Sequence, residues 1–178
     1  MMRIIPLTGA EDRRRLLGEA EAIFWESAGT RQFADAEARA AYRALWFARY
    51  SEYAPEAFFI ALGTDGGVSG YLAGSPVSDA PPLPGPDYYA LFPAVLMARY
   101  PAHLHVNVRA DRRGSGIGAA LVGAFCGYLQ AEGIGGVHAV TAAHSRAAAF
   151  FERCGLAWQA QATWRGRELV FLAGRGPA

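Results

Sequence analysis

Apolar positions recur at helical spacing in some segments of the chain and form short runs in others. Helical spacing predicts two helices in the first third, over residues 10–27 and from residue 33 or 35 to about residue 53. Short apolar runs predict three strands, at residues 2–6, 58–62 and 68–74. Residues Thr64–Gly67 form a strong hairpin signal, so the strands on either side of them should pair antiparallel.

The second half of the chain alternates strands with helices. Its apolar patterns predict four strands, at residues 103–108, 137–142, 156–163 and 168–173. Helical patterns cover residues 115–132 and 145–153, and a shorter helix interrupted near Pro93 precedes them. At this length we expect one domain over residues 1–178, which would bury roughly 70% of its unfolded surface.

A proline-rich segment separates the two halves. Residues 75–87 contain five prolines, which remove backbone donors and block helix formation. We therefore expect an extended surface loop, and this loop is the best candidate for a lid that faces a substrate. An acceptor pocket could form beside this loop from Asp79, Asp87, Tyr88, Tyr89, Trp25 and Trp46. For the aromatic residues among them, packing in the core is the simpler interpretation.

A glycine-rich segment lies between the 103–108 strand and the helix that follows it. Arg112 and Arg113 are followed by Gly-Ser-Gly-Ile-Gly at residues 114–118. Glycines allow backbone N–H groups to approach an anion closely, and the first turn of a helix adds unpaired donors and the positive end of its dipole. The segment is therefore predicted to bind a phosphate.

Two common phosphate-binding motifs do not fit this segment. A Walker loop ends in Gly-Lys-Ser or Gly-Lys-Thr, but the chain has no lysine, and all seventeen basic residues are arginine. A dinucleotide fingerprint has Gly-x-Gly-x-x-Gly with an acidic residue about twenty positions later. Here the spacing is Gly-x-Gly-x-Gly, and Glu132 falls at the end of the following helix. These mismatches argue against an ATP or dinucleotide cradle.

A third motif does fit. Arg113-Gly114-Ser115-Gly116-Ile117-Gly118 resembles the Arg/Gln-x-x-Gly-x-Gly/Ala pyrophosphate loop of the GNAT acetyltransferases. Leu104–Val108 is similar to the fourth strand of that superfamily, and Ala119–Val122 to its loop-bearing helix. A second motif, His144–Leu156, resembles the Asn-x-x-Ala-x-x-Phe-Tyr-x-x-x-Gly-Phe segment that closes the acetyl-CoA site. The resemblance implies the GNAT fold, an α/β (α+β) architecture with a mixed, mostly antiparallel central sheet, helices on both faces and splayed central strands.

A narrower resemblance exists within the superfamily. Residues 91–93 and 100–107 also resemble the acetyltransferase-like C-terminal domain of O-GlcNAcases and its bacterial relatives. Because acetyltransferase activity is disputed for that animal domain, this resemblance implies a fold more readily than it implies chemistry.

The GNAT resemblance implies acetyl-CoA as the acyl-donor cosubstrate. The loop amides and Arg113 would bind the coenzyme A pyrophosphate, and the pantetheine arm would lie between the strands at 104–108 and 137–142. A backbone N–H near Val106 would polarise the thioester carbonyl, and one such donor contributes about 10²–10³ in rate. The cofactor-binding residues expected from the resemblance are Val106, Val108, Arg113, Gly114, Ser115, Gly116, Ile117, Gly118, Ala119, His144, Ala147 and Phe151.

Histidines near the expected cofactor slot are candidates for a general base. His103, His105 and Asn107 are spaced by two, so they share one face of a strand. A general base needs a pKa near the working pH, and histidine titrates near neutrality. We take His105 as the preferred base, and His103 and Asn107 as the other candidate catalytic residues. His138 on the next strand is a weaker candidate, and satisfaction by hydrogen bonds in the core is the alternative for each histidine.

The second motif departs from the family pattern at two positions. The tyrosine often found before the glutamate is Phe151 here, which has no proton to give, and the usual asparagine is His144. Water, Ser145 or Tyr100 would then have to protonate the thiolate. Two functions stay open: an N-acetyltransferase that transfers acetyl directly from acetyl-CoA to a primary amine of an unidentified small molecule or peptide, and a catalytically silent acetyl-CoA-binding interaction module.

Composition limits the other classes of function. The formal charge is +1 with dispersed arginines, so we expect neither a nucleic acid nor a membrane as a partner. No apolar run approaches the ~20 residues of a membrane helix. Two cysteines in apolar helical settings favour a reduced, cytoplasmic location, and the histidines and cysteines lack metal-ligand spacing. We therefore expect no metal. GNAT dimers are common, but no residue here requires a homodimer.

Overall fold

The structure is a computed structural model that describes residues 2–30, 32–79 and 81–176. Its strands are β1 (Arg3–Pro6), β2 (Phe58–Leu62), β3 (Val68–Ser75), β4 (Ala102–Val108), β5 (Val137–Ala142), β6 (Ala157–Trp164) and β7 (Arg167–Gly174). Its α-helices are α1 (Arg13–Ser27), α2 (Ala36–Arg43), α3 (Arg49–Tyr53), α4 (Ala94–Arg99), α5 (Ile117–Ala131) and α6 (Arg146–Arg153). The predicted order of strands and helices is confirmed, except that the second predicted helix is divided into α2 and α3.

The strands form one seven-stranded sheet in the order β1-β2-β3-β4-β5-β7-β6. Four neighbouring pairs are antiparallel: β1 with β2, β2 with β3, β5 with β7, and β6 with β7. β4 and β5 pair parallel, with Ala102 opposite Val137 and His103 opposite His138. The predicted fold class, a mixed and mostly antiparallel sheet with helices, is confirmed.

The chain folds as two compact units. Unit 1 comprises residues 1–74 and 105–124, and unit 2 comprises residues 75–104 and 125–178. The expectation of a single domain over residues 1–178 stays a prediction, and residues 1, 177 and 178 lie outside the described part of the chain.

In unit 1, α1 has one buried side because its apolar residues recur at helical spacing. Leu16, Ala20, Ile23 and Phe24 are buried along one side of the helix, and β2 and β3 are buried along their whole length. Gly70 in β3 is required by the close approach of β4, because a Cβ there would lie 2.9 Å from the carbonyl oxygen of Asn107. The hairpin predicted at Thr64–Gly67 is closed by a bond from the Gly63 N–H to the Gly67 carbonyl at 2.8 Å.

The second helical pattern of unit 1 is not a single α-helix. Asp35 caps α2 by accepting the Ala38 N–H at 2.7 Å, as its position before the apolar pattern suggests. Between α2 and α3, residues Ala44–Ala48 form a π-helical turn. A π turn has one extra residue per hydrogen-bonded ring, a feature that apolar spacing does not reveal.

In unit 2, an apolar cluster forms against β7. Phe92, Tyr100 and Phe171 are its largest buried side chains, and half-buried Tyr88 and Trp164 pack against it. The β6–β7 hairpin turns through Arg165 and Gly166, both in the left-handed region. The proline-rich segment is partly anchored: Leu83 is buried, and Ser78 Oγ donates to the Pro101 carbonyl at 2.7 Å. Its role as a lid stays a prediction.

One helix boundary differs from the sequence prediction. The pattern predicted a helix from residue 115, but α5 begins at Ile117. Gly116 has a φ of 84°, which an α-helix cannot accommodate, so residues 114–116 stay outside the helix.

Candidate active site

A cleft in unit 1 contains two of the three predicted catalytic residues. Its volume is about 160 Å³, and it is lined by Phe24, Ser27, Ala28, Gly29, Tyr42, Trp46, His105 and Asn107. β4 supplies His105 and Asn107, whose spacing of two residues places both side chains on one face of the strand. The helical segments supply the aromatic residues, and residues 27–29 follow the end of α1. The sequence predicted the pair from β4 but gave no signal for residues 27–29.

Tyr50 and Trp46 hold His105 in place. Its Nε2 lies 3.0 Å from Tyr50 Oη, and its ring meets those of Trp46 and Tyr50 edge-on, at centroid distances of 5.0 and 5.4 Å. Arg49 Nη2 donates to the same Tyr50 oxygen at 3.1 Å. Burial raises the pKa of Tyr50 above its usual value, although Arg49 opposes this shift, so Tyr50 stays a neutral phenol at physiological pH. Arg49, Tyr50 and His105 therefore form a chain of hydrogen bonds that ends in the cleft.

Asn107 is also fixed by a buried phenol. Its Nδ2 donates to Tyr71 Oη at 2.9 Å. Burial raises the pKa of Tyr71, with the Asn107 hydrogen bond opposing the shift, so this phenol is also neutral. Because the amide nitrogen is engaged, the Asn107 amide oxygen is the group that can accept a hydrogen bond from an amine in the cleft.

The glycine segment has the geometry of an anion cradle. Gly114 and Gly116 have φ values of 79° and 84°, and a Cβ built at either would meet no atom within 4 Å. Left-handed glycines turn successive backbone N–H groups toward a common point, and the first turn of α5 adds unpaired N–H donors and the positive end of its dipole. Ser115 Oγ donates to the Arg112 carbonyl at 2.6 Å and so braces the loop. The role of this loop in binding a pyrophosphate stays a prediction.

Arg113 connects this loop to the cleft. Its Nε donates to the Val108 carbonyl at 3.2 Å, and its Nη2 lies 3.4 Å from Ser27 Oγ, which lines the cleft. Val106 and Val108 are half-buried in β4. Ile117 is buried at the start of α5, whereas Ala119 is exposed and Gly118 half-buried. Within unit 1, the predicted anion loop and the cleft with His105 thus share one border at Ser27.

The second motif lies in unit 2. His144 is exposed with a φ of 57°, and its ring lies 5.4 Å from that of Trp158. Ser145 caps α6 by accepting the Ala148 N–H at 3.1 Å. Ala147 is exposed, and Phe151 is buried and packs edge-on against Phe150. The cofactor role of His144, Ala147 and Phe151 stays a prediction.

His103 and His138 are fully buried in unit 2. Ser78 Oγ has one proton, which it donates to the Pro101 carbonyl, so it accepts the Nδ1 proton of His103 at 2.7 Å. His138 donates its Nδ1 proton to the Tyr100 carbonyl at 2.6 Å and stacks on Phe171 at 4.5 Å. Burial lowers the pKa of His138 to about 4, and the bond to Tyr100 opposes this shift.

These contacts match the alternative interpretation of histidines satisfied in the core. Complete burial argues against direct contact of the His103 or His138 ring with a substrate. His105 is therefore the candidate base that remains. Two residues proposed for an acceptor pocket, Trp25 and Tyr89, pack in aromatic clusters of units 1 and 2 respectively, whereas Trp46 lines the cleft.

Neither a metal site nor a membrane-spanning helix is found among the described residues. In residues 2–30, 32–79 and 81–176, no group of three or more His, Cys, Asp or Glu side chains is placed to hold a metal ion. Among these same residues, no helix is both long and apolar enough to cross a membrane.

Comparisons with known proteins identify the class. The sequence profile of the Acetyltransferase (GNAT) family matches residues 19–156, so the chain belongs to that family. Members of the family are acyltransferases, mostly N-acetyltransferases, and use acetyl-CoA. No curated protein matches the sequence.

Solved structures show the same fold. SsHAT is 23% identical with a TM-score of 0.72, covering 99% of this chain and 98% of that one. PH1933 from Pyrococcus horikoshii OT3 is 15% identical with a TM-score of 0.71, covering 98% of both chains. A chain of the NatC complex bound to Gag peptide and CoA is 15% identical with a TM-score of 0.64, covering 97% of this chain and 96% of that one. At these identities the likeness concerns the fold alone.

Proposed function

We propose that this protein is an N-acetyltransferase that transfers acetyl directly from acetyl-CoA to a primary amine held in the unit 1 cleft. The observation that supports this most strongly is the shared border between the anion loop and the cleft, where Arg113 reaches both the Val108 carbonyl and Ser27. A donor bound by its phosphates at the loop would be anchored next to the cleft that contains His105. The two substrates would then meet without a covalent enzyme intermediate.

The chain's own residues would supply binding, orientation and proton transfer. Acetyl-CoA brings the thioester that the amine attacks. Backbone N–H groups of residues 114–118 and Arg113 would bind the pyrophosphate, and Asn107 would orient the amine. His105 Nδ1 would accept a proton that the amine loses, with the Nε2–H donating to Tyr50 Oη so that Nδ1 keeps its lone pair. Since Phe151 cannot donate a proton, water would protonate the departing thiolate in this proposal.

Calorimetric titration with acetyl-CoA tests the donor site. The double variant Gly116→Asp/Gly118→Asp places carboxylates against the phosphates and should abolish the binding seen with the wild type. The matched control is Gly66→Asp/Gly127→Asp, which adds the same charge at one exposed glycine with a similar φ of 76° and at one exposed helical glycine, both with open surroundings, and should bind normally. ATP as a second ligand separates a coenzyme A site from a general anion site. A folded wild-type protein that does not bind acetyl-CoA, or binds ATP equally well, would contradict the proposal.

A second function is a catalytically silent acetyl-CoA-binding module. Buried Phe151 in place of the usual tyrosine favours it, and so does the resemblance to the O-GlcNAcase acetyltransferase-like domain. Release of free thiol from acetyl-CoA discriminates the two functions. Sustained release above the hydrolysis blank with any amine of a broad panel would exclude the silent module. Binding without such release would favour it.

The two cysteines of the chain bear on where the protein is located. Cys126 and Cys154 are both free and buried, and burial raises the pKa of each thiol. Free thiols are common where the environment is reducing, and we therefore propose the cytoplasm. A homodimer and the absence of nucleic acid partners stay predictions.

A further inference from the structure

The cleft of unit 1 presents no formal charge. Of the described residues that line it, none is an aspartate, glutamate or arginine. Its polar groups are the Ser27 hydroxyl, the His105 imidazole, the Asn107 amide and the backbone of residues 28–29. A second ammonium would have to enter the cleft without a carboxylate among its lining residues, which costs free energy. A substrate carboxylate could reach only Arg113, at the Ser27 border. The lining therefore argues against polyamines as acceptors.

The carboxylates on the neighbouring helix α1 are already engaged. Glu21 accepts from Arg43 Nε and Nη2, both at 2.7 Å, and this bond holds the pKa of Glu21 below its usual value. Glu19 accepts the Val68 N–H at 2.8 Å, and Glu26 accepts the Ala110 N–H at 3.3 Å. Glu21 is therefore neutralised by Arg43, and backbone N–H groups engage one oxygen each of Glu19 and Glu26. None of the three lines the cleft.

The walls of the cleft are aromatic and firmly supported. Tyr42 lies 5.7 Å from Phe24 and 6.3 Å from Trp46, between ring centroids, and Trp46 in turn packs on His105. The Glu21–Arg43 ion pair joins α1, which carries Phe24, to α2, which carries Tyr42. Such rings can stack on an aromatic body and can also face an ammonium group.

The backbone adds an independent observation. Trp46 sits at the centre of the π-helical turn Ala44–Ala48. π turns inside helices are rare and occur frequently at functional sites. Here the extra residue falls in the segment whose tryptophan forms a wall of the cleft.

The volume of the cleft limits the part of the acceptor that can enter it. This volume is about 160 Å³. Pockets for drug-sized ligands measure about 300–1,000 Å³. The part of the acceptor that enters the cleft is therefore one ring or a short chain, and anything larger would lie outside it.

We propose that the acceptor is a small aromatic monoamine, whose only charge is the ammonium that is acetylated, and that Trp46 and Tyr42 select its ring. This inference rests on the proposed N-acetyltransferase function. In the reaction the amine nitrogen forms a bond to the acetyl carbonyl carbon as the carbon–sulfur bond breaks. His105 takes one proton from the ammonium, and the second proton, which the nitrogen loses after attack, passes through water to the thiolate.

The test compares four amines in the thiol-release assay: 2-phenylethylamine, 2-cyclohexylethylamine, spermidine and a short peptide with a free N-terminus. The first two have rings of nearly the same size, so their ratio isolates aromaticity. We expect kcat/KM for 2-phenylethylamine to exceed that for 2-cyclohexylethylamine by about 3- to 10-fold. It should exceed that for spermidine or the peptide by at least about tenfold.

Two variants test whether Trp46 causes the preference for the aromatic amine. Trp46→Leu should remove most of the preference for 2-phenylethylamine over 2-cyclohexylethylamine, mainly through KM. The control Trp164→Leu changes a half-buried tryptophan of unit 2 and should keep that preference. Equal loss for both amines in Trp46→Leu would indicate damage to His105 or to folding, and would overturn the assignment of Trp46.

A binding measurement separates the two proposals. Saturation-transfer NMR of 2-phenylethylamine, without acetyl-CoA, should detect binding that Trp46→Leu weakens and Trp164→Leu does not. If no amine is acetylated but this binding is present, the acceptor class stands and the transferase function fails. If spermidine or the peptide is the better substrate, the function stands and the acceptor class fails. Absence of both binding and turnover with the aromatic amine overturns the acceptor class.

Discussion

Two histidines separated by one residue on β4 have opposite environments. His105 in unit 1 is half-buried, lines a cleft and contacts a phenol and a tryptophan. His103 in unit 2 is fully buried, and its Nδ1 is committed to Ser78. The same side chain is thus a candidate for proton transfer in one unit and a satisfied part of the core in the other. Residue type and strand face alone could not separate these roles.

The comparison is tested most strongly by replacing each histidine with asparagine. His105→Asn should lower kcat by about 10²–10⁴, the usual contribution of a general base, with little change in the free energy of unfolding. His103→Asn should lower the free energy of unfolding, because a fully buried ring is lost, while kcat per folded molecule stays near the wild type. Thiol release and urea denaturation measure the two quantities. Equal activity in the two variants would remove His105 from the reaction.

Buried His138 predicts acid sensitivity in unit 2. The pKa of His138 is about 4 in the folded protein and about 6.5 when unfolded, so the unfolded state binds more protons between these values. The free energy of unfolding should therefore fall as pH drops from about 6.5 to 4, by roughly 3 kcal/mol in total, and this contribution should level off below pH 4. Chemical denaturation across this pH range measures the slope.

Two variants test whether His138 causes this dependence of the free energy of unfolding on pH. His138→Asn removes the titrating group and can keep a donor for the Tyr100 carbonyl, so the pH dependence between 6.5 and 4 should flatten. His144→Asn replaces an exposed histidine of the same unit and should leave the slope unchanged. An undiminished slope in His138→Asn would mean that another group causes the acid sensitivity.

Loss of the hydrogen bond between Tyr50 and His105 should lower kcat less than loss of His105 itself. Tyr50→Phe removes the hydroxyl 3.0 Å from Nε2 and frees the imidazole to rotate. We expect kcat to fall by about tenfold, the equivalent of one hydrogen bond of about 1–1.5 kcal/mol, with KM for the amine nearly unchanged. Steady-state kinetics over a range of pH would show this split. A change confined to KM would instead mean that Tyr50 shapes the cleft and does not position the base.

Sequence patterns predicted the order of elements, the Thr64–Gly67 hairpin and the glycine loop, because these depend on local spacing and on glycine conformation. They also placed His105 and Asn107 on one face of β4. They could not predict Tyr50 as a partner of His105, because the two residues are 55 positions apart and meet only through tertiary packing. The π turn at Trp46 was missed for a different reason: apolar spacing does not distinguish one extra residue in a helix.

The smallest expected effect concerns Ser145, a substitute considered for the missing tyrosine acid. Its hydroxyl accepts the Ala148 N–H and caps α6. If capping is its only role, Ser145→Ala should lower the free energy of unfolding by about 1 kcal/mol and leave kcat unchanged. Ser145→Asp preserves a capping oxygen and should recover the stability. A fall in kcat in both variants, with stability intact in Ser145→Asp, would instead make the Ser145 hydroxyl part of the acetyl transfer.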